Sequence, residues 1–168
     1  MSAPITSLAE FLATGCGVGY LPTPGTCGTV LLGLPLLFFL RYMFPQSPEH
    51  PFFSIVTFLG VVIVVNILAI RIVHYALPHL QAQHHSSDPQ VIVLDEIAGL
   101  LLVFVGVPLT PTTVAVGTLL FRILDITKLG PIGWSEQLPG ALGIVIDDSL
   151  AGAIACIILH GLMLLRFM

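Results

Sequence analysis

Two short stretches of this chain share one pattern, D-x-x-A-G: "DEIAG" at Asp95–Gly99 and "DSLAG" at Asp148–Gly152. Each opens an apolar run, and each carries a second acid beside the first, Glu96 and Asp147. On a helix, positions i, i+3 and i+4 share a face, so each aspartate stands over its own Ala-Gly step. Small residues let membrane helices approach closely. Two helices that met at these steps would bring four carboxylates together. Such a cluster repels itself unless a cation compensates. Mg²⁺ takes few protein carboxylates and keeps room for water and phosphate oxygens, which makes it the natural occupant. The plainer alternative is that the acids are first-turn residues favoured by the helix macrodipole. Two pairs with the same small-residue sequel favour the metal reading, with Asp95, Glu96, Asp147 and Asp148 as ligands.

A third block is "FRILDITK". Arg122, Asp125 and Lys128 recur every three residues on an otherwise apolar segment. They form either a self-satisfied ion-pair ladder or a working stripe. In the second case Arg122 and Lys128 clamp a phosphate, one as a fork and one as a point charge, while Asp125 joins the metal shell. A fourth block, "PTPGTCGTV", sets a Pro-Gly turn and small residues at the start of an apolar run. The free N–H groups of a helix start favour an anion. Gly25, Thr26, Gly28 and Thr29 are its candidate contacts, against the alternative of simple threonine capping. No Gly-Lys-Ser/Thr follows, so it is not a nucleotide-binding loop of the Walker type.

The elements that hold these blocks are membrane spans. Hydrophobic residues make up 56% of the 168, charged residues only 8%, and the mean hydropathy is +1.04. A soluble surface typically needs about three times that charge. Five apolar runs are expected to cross the bilayer: Thr26 to Phe44, Phe52 to Tyr75, Val91 to Val107, Val114 to Lys128, and Ile144 to Met168. Leu77 to Gln90 reads as a polar loop, and Asp147 and Asp148 as the entrance of the last run. The fold class is therefore all-α, a polytopic membrane helical bundle of about five spans, as a single domain over residues 1–168. Alternation of five spans puts all four blocks, with Asp88, on one membrane side. Arg41, Glu49, His50 and Arg166 go to the other. Counting Arg71, Arg122 and Lys128 against Arg41 and Arg166, the positive-inside rule leans toward a cytoplasmic site.

The remaining polar residues suggest less. A net charge of −4 argues against nucleic acid. Cys16, Cys27 and Cys156 form no CxxC pair, and Cys156 reads as a small core residue. His79, His84 and His85 read as solvated interfacial histidines, Trp134 and Tyr75 as interfacial aromatics. Asn66, deep in the second run, is expected to bond a neighbouring helix. The N-terminus lacks the basic region of a cleaved signal peptide.

The blocks "PGTCGT", "DPQVIVLDEIAG", "FRILDITKLGPIGW" and "GIVIDDSLAG" resemble, in order and over nearly the whole chain, the signature blocks of the phosphatidylglycerophosphatase A family. The resemblance implies a multi-pass protein of the bacterial inner membrane. It implies Mg²⁺-dependent hydrolysis of phosphatidylglycerophosphate to phosphatidylglycerol and phosphate, with the active site facing the cytoplasm. By position it carries over Asp88, Asp95, Glu96, Asp125, Asp147 and Asp148 as the acids, Arg122 and Lys128 as the bases, and Pro24, Gly25, Thr26, Gly28 and Thr29 as the loop. This chain departs from the family at Leu129, Ala141 and Val145, none of which removes a charge. Asp95, Asp125 and Asp148 are the expected catalytic acids. The nucleophile is either a metal-activated water or, in an aspartyl-phosphate route, Asp125. The partner is an anionic phospholipid, with no protein partner implied. Two other classes compete: an ion or solute transporter, which would spread its acids through the bilayer, and a Mg²⁺-dependent phospholipid transferase, whose D-G-x-x-A-R motif is absent.

Overall fold

The computed structural model describes residues 7–86 and 89–165 and is all-α over them. Seven helices carry the fold: α1 (Leu8–Ala13), α2 (Pro24–Met43), α3 (Pro51–His84), α4 (Leu94–Val103), α5 (Pro111–Thr127), α6 (Pro131–Ser135) and α7 (Ala141–Leu164). A π-helical turn at Thr29–Gly33 lies within α2.

Three helices, α2, α3 and α7, are long and apolar enough to cross a membrane. About a fifth of the most apolar window of α2 and of α3 is buried, 22% in each, so their outer faces are hydrocarbon. Three such helices do not confirm the expected five spans. The third expected run contains a helix of only 10 residues, about 15 Å of rise against a core of about 30 Å. Val91 to Val93 precede that helix as a turn, where the Val93 N–H donates to Ala13 O at 3.0 Å. Beyond it Gly106 turns the chain at φ +74° and Pro108 lacks an N–H. The fourth run, α5, has 17 residues, about 25 Å of rise. It starts at Pro111 because Thr110 and Thr113 form a reciprocal capping box.

Two boundaries move in ways that matter for the site. Helix α3 does not stop at Tyr75 but continues through Pro78 to His84. Ala69, Val73, Ala76, Leu77 and Leu80 keep a helical spacing on one face and are buried in a cluster with Ala13, Val91 and Ile92. Packing of α1 on this segment outweighs the proline. Helix α7 starts at Ala141, after Gly140 turns the chain at φ +60°. Asp147 and Asp148 therefore lie about two turns inside the helix rather than at its entrance.

The α4–α7 pair is the most extensively packed in the molecule, and it crosses at the two Ala-Gly steps. A Cβ on Gly152 would stand 2.1 Å from the carbonyl oxygen of Gly99, and one on Gly99 would stand 2.5 Å from that of Asp148. Only glycine admits this approach. Ala98, Ala151 and Ala155 are fully buried beside it. Asn66 ties the crossing to α3: its Nδ2 donates to Ala98 O at 3.3 Å, and Ser149 Oγ donates to Asn66 Oδ1 at 2.6 Å.

Candidate active site

The backbone crossing determines where the acids go. Asp95 is in the first turn of α4, and Asp148 is about a turn from Gly152 on α7. Both are buried. Asp148 lies against Asp125 of α5, with Asp95 and Glu96 near enough to repel it. Arg122, one turn before Asp125, donates through Nη1 to Asp125 Oδ2 at 2.7 Å and lies 3.6 Å from Glu96 Oε1. Four carboxylates from three helices thus gather here, two of them, Asp125 and Glu96, against one guanidinium. Glu96 Oε2 is buried and has no hydrogen-bond partner, and neither has Arg122 Nε.

The start of α2 closes this group from the side. A Cβ at Gly25 would fall 2.0 Å from Glu96 Oε1 and 2.8 Å from Arg122 Nη2, so a side chain there would displace both. The helix begins at Pro24 itself, so Gly25 and Thr26 are first-turn residues whose N–H groups have no partner inside the helix. Before them Thr23 adopts φ +55°. A β-branched residue in that region costs roughly 1–3 kcal/mol and marks an over-determined segment.

These residues line one cavity of about 430 Å³. Thr23 to Thr26, Asp95, Glu96, Arg122, Asp125, Lys128, Asp147 and Asp148 contribute to its wall, along with Ile92, Ile126 and Ile144. The cavity lies near one end of the spans. Asn66, level with the crossing, precedes the exposed Arg71 by about 7 Å along α3.

Lys128 stands apart from the ladder expected with Asp125. It ends α5 in the left-handed conformation, φ +47°, and its Nζ donates to Asp147 Oδ2 at 2.7 Å and to Glu136 Oε1. Burial opposes its charge, but the hydrogen bonds and charges of Asp147 and Glu136 prevail and hold the ammonium above the ordinary lysine range.

Several expected placements need correction. Asp147 lines the same cavity as Asp95, Glu96 and Asp148, while its Oδ2 accepts from Lys128 Nζ and its Oδ1 from the Asp148 N–H at 2.9 Å. Successive residues of a helix point about 100° apart, so Asp147 and Asp148 reach the cavity from different directions. Asp125 stands beside Asp148. Gly28 and Thr29 do not line the cavity. A Cβ on Gly28 would meet Val93 Cβ at 2.7 Å, and Thr29 is buried, one turn deeper than Gly25. Asp88 and Arg166 lie outside the described residues. His79 is not simply solvated: its Nδ1 is 2.7 Å from Oε1 of the buried Glu10. Sequence reasoning missed Glu136, because a lone acid in a Gly/Pro-rich stretch carries no periodic signal.

A divalent cation suits this donor set. The carboxylates outnumber the guanidinium, and the orphaned Glu96 Oε2 lacks a positive partner. Among the described residues no three acidic, histidine or cysteine side chains already converge as a ligand shell, so the carboxylates would have to rotate to bind one.

Residues 11–163 match the family described as "Phosphatidylglycerophosphatase A". The chain is 33% identical to phosphatidylglycerophosphatase A of Escherichia coli (strain K12), over 90% of this chain and 81% of the relative. It is 30% identical to the Haemophilus influenzae protein of the same name, over 91% and 87%. A putative phosphatidylinositol-3-phosphatase of Bacteroides thetaiotaomicron is 29% identical over 90% and 91%. No solved structure matches. With the match extending from α1 to the last turns of α7, the chain belongs to the phosphatidylglycerophosphatase A family.

Proposed function

We propose that this protein hydrolyses phosphatidylglycerophosphate to phosphatidylglycerol and inorganic phosphate at the bilayer surface, with Mg²⁺ as cofactor. The observation that carries the reading is the cavity itself. It combines a surplus of carboxylates with Arg122 and Lys128, at one end of helices whose outer faces are apolar. A lipid with an anionic head matches both halves of that surface. The names of the relatives support the same substrate. Their bacterial source and the basic residues near the site support an inner-membrane location with the cavity toward the cytoplasm.

Asp95, Glu96, Asp125 and Asp148 are the side chains that would hold the metal. When bound it would offset the carboxylate charge and that developing on phosphate oxygens. Arg122 and Lys128 bind the non-transferred oxygens, and the first-turn N–H groups of Gly25 and Thr26 face the same space. Water adds to phosphorus as the bond to the glycerol oxygen breaks. A cluster carboxylate, Asp125, takes the water proton and returns it to solvent, and the leaving alkoxide takes a proton from solvent to become the alcohol of phosphatidylglycerol. Ile126, the exposed isoleucine of the lining, keeps the acyl chains on the hydrocarbon side.

The test is phosphate release by purified protein from a panel of phosphatidylglycerophosphate, phosphatidic acid and a phosphoinositide monophosphate, with and without Mg²⁺. Release confined to the first lipid and dependent on the metal is expected. Liposome ion flux without phosphate release would establish the transporter reading instead. Rapid quench with labelled substrate should trap no phosphoprotein; a covalent aspartyl adduct would replace the water route.

A further inference from the structure

Lys128 is the only lysine in the chain, and the structure devotes a separate segment to holding it. After α5 the chain folds back through α6 and passes over Lys128 itself. A Cβ on Gly133 would stand 2.7 Å from the Lys128 carbonyl oxygen. Ile132 is fully buried, and Ser135 Oγ donates to Ile132 O at 2.6 Å, which tightens the turn. On the other side a Cβ on Gly143 would stand 3.2 Å from Glu136 O and 2.5 Å from Leu138 O, so α7 grips the segment by its backbone. The outcome of this folding is that Glu136, which does not line the main cavity, reaches Lys128 Nζ. Glu136 lines a neighbouring cavity of about 290 Å³, with Asp147 shared between the two and Lys128 on the main side.

We infer that Glu136 is a positioning residue: with Asp147 it orients the Lys128 ammonium so that its remaining N–H points into the cavity at the substrate phosphate. The inference rests on the phosphatase reading for its substrate and on the Lys128 contacts for its geometry. An ammonium has three donors. Two are spent on Glu136 and Asp147, and a tetrahedral nitrogen held at two corners has its third direction set. Without Glu136, Lys128 keeps its charge and its bond to Asp147 but can swing about it. A lysine stem is flexible and loses several rotamers' freedom when it is held. The exposed carboxylate of Glu136 touches no reacting atom in this scheme.

Two measurements test it. In Glu136→Gln, KM for phosphatidylglycerophosphate should rise by about three- to tenfold, as for the loss of one charge-assisted contact, with kcat within about twofold. Glu136→Asp should recover part of the loss. A fall in kcat at unchanged KM would overturn the assignment. The second measurement needs no turnover. Acylation of the single lysine side chain, read by mass spectrometry, should be slow in the wild type and several-fold faster in Glu136→Gln at an unchanged melting temperature. Equal labelling rates would show that Glu136 does not hold the ammonium, whatever the enzyme hydrolyses. Failure of the wild type to release lipid phosphate would instead sink the functional reading alone.

Discussion

Each end of α4 meets an arginine, and the two meetings are built differently. At the C-terminal end Arg41 donates through Nη2 to the carbonyl oxygens of Phe104 and Val107, at 2.6 Å each, and its guanidinium lies 4.3 Å over the ring of Phe58. Carbonyl oxygens and a ring surround it, so a cation closes the carbonyls at the end of a short buried helix. At the N-terminal end Arg122 meets Asp125 and Glu96, with Asp95 and Asp148 close behind. Here negative charge exceeds positive, and a buried carboxylate oxygen has no partner. Burying charge without compensation is costly. A fold bears such a cost where something outside the chain completes the site. The same residue type thus closes backbone carbonyls at one end and meets a surplus of carboxylates at the other.

The sharpest way to break this comparison is to remove the surplus. Asp148→Asn and Asp95→Asn should each lower phosphate release by at least about a hundredfold, in the range seen when one electrostatic contact to a transition state is lost. The melting temperature should hold or rise, because a repelling charge is gone. Near-full activity at saturating Mg²⁺ would show that these acids are structural after all. Arg122→Ala should raise KM about tenfold or more, as expected when a paired guanidinium is withdrawn from an anion. Arg41→Ala should do the opposite. It should lose about 2 kcal/mol of stability with the charged hydrogen bonds, read as a lower melting temperature, while each folded molecule keeps its KM. If Arg41→Ala shifts KM and Arg122→Ala shifts only stability, the roles are reversed.

The smallest effect expected is with pH. Asp147 and Glu136 raise the Lys128 pKa above its ordinary 10.5. A group raised on folding contributes stability that is complete below its unfolded pKa and is lost as pH rises through the folded value. The ammonium therefore stays charged across the working range, and kcat/KM should show no alkaline limb from Lys128 below about pH 10. A limb in that range that disappears in Lys128→Arg would contradict this.

Much of the site was legible because its residues violate the composition around them. Asp95, Glu96, Arg122, Asp125, Asp147 and Asp148 stand out in apolar text, and intramembrane charge is expensive enough to mark function. The repeated Ala-Gly steps foretold the α4–α7 crossing because only small residues permit backbone contact. The boundaries of the third run were less legible. Hydropathy measures the composition of a run but not its continuity, and the run from Val91 to Val107 is broken by turns at both ends. Pro78 was similarly misleading, since the buried face of Val73, Ala76, Leu77 and Leu80 keeps the helix going past it.

By itself, the sequence determined that this chain lives in a bilayer, that its charges gather in a few blocks, and that two of those blocks sit above glycine steps. Those are properties of residue type and local spacing. Only the tertiary structure decided that Asp125 stands beside Asp148, that Asp147 accepts from Lys128, and that Glu136 reaches in from a loop. Neighbours on a helix diverge in direction by about 100°. Which of two adjacent carboxylates faces a partner therefore depends on how the helix is rotated against the others, and packing sets that rotation.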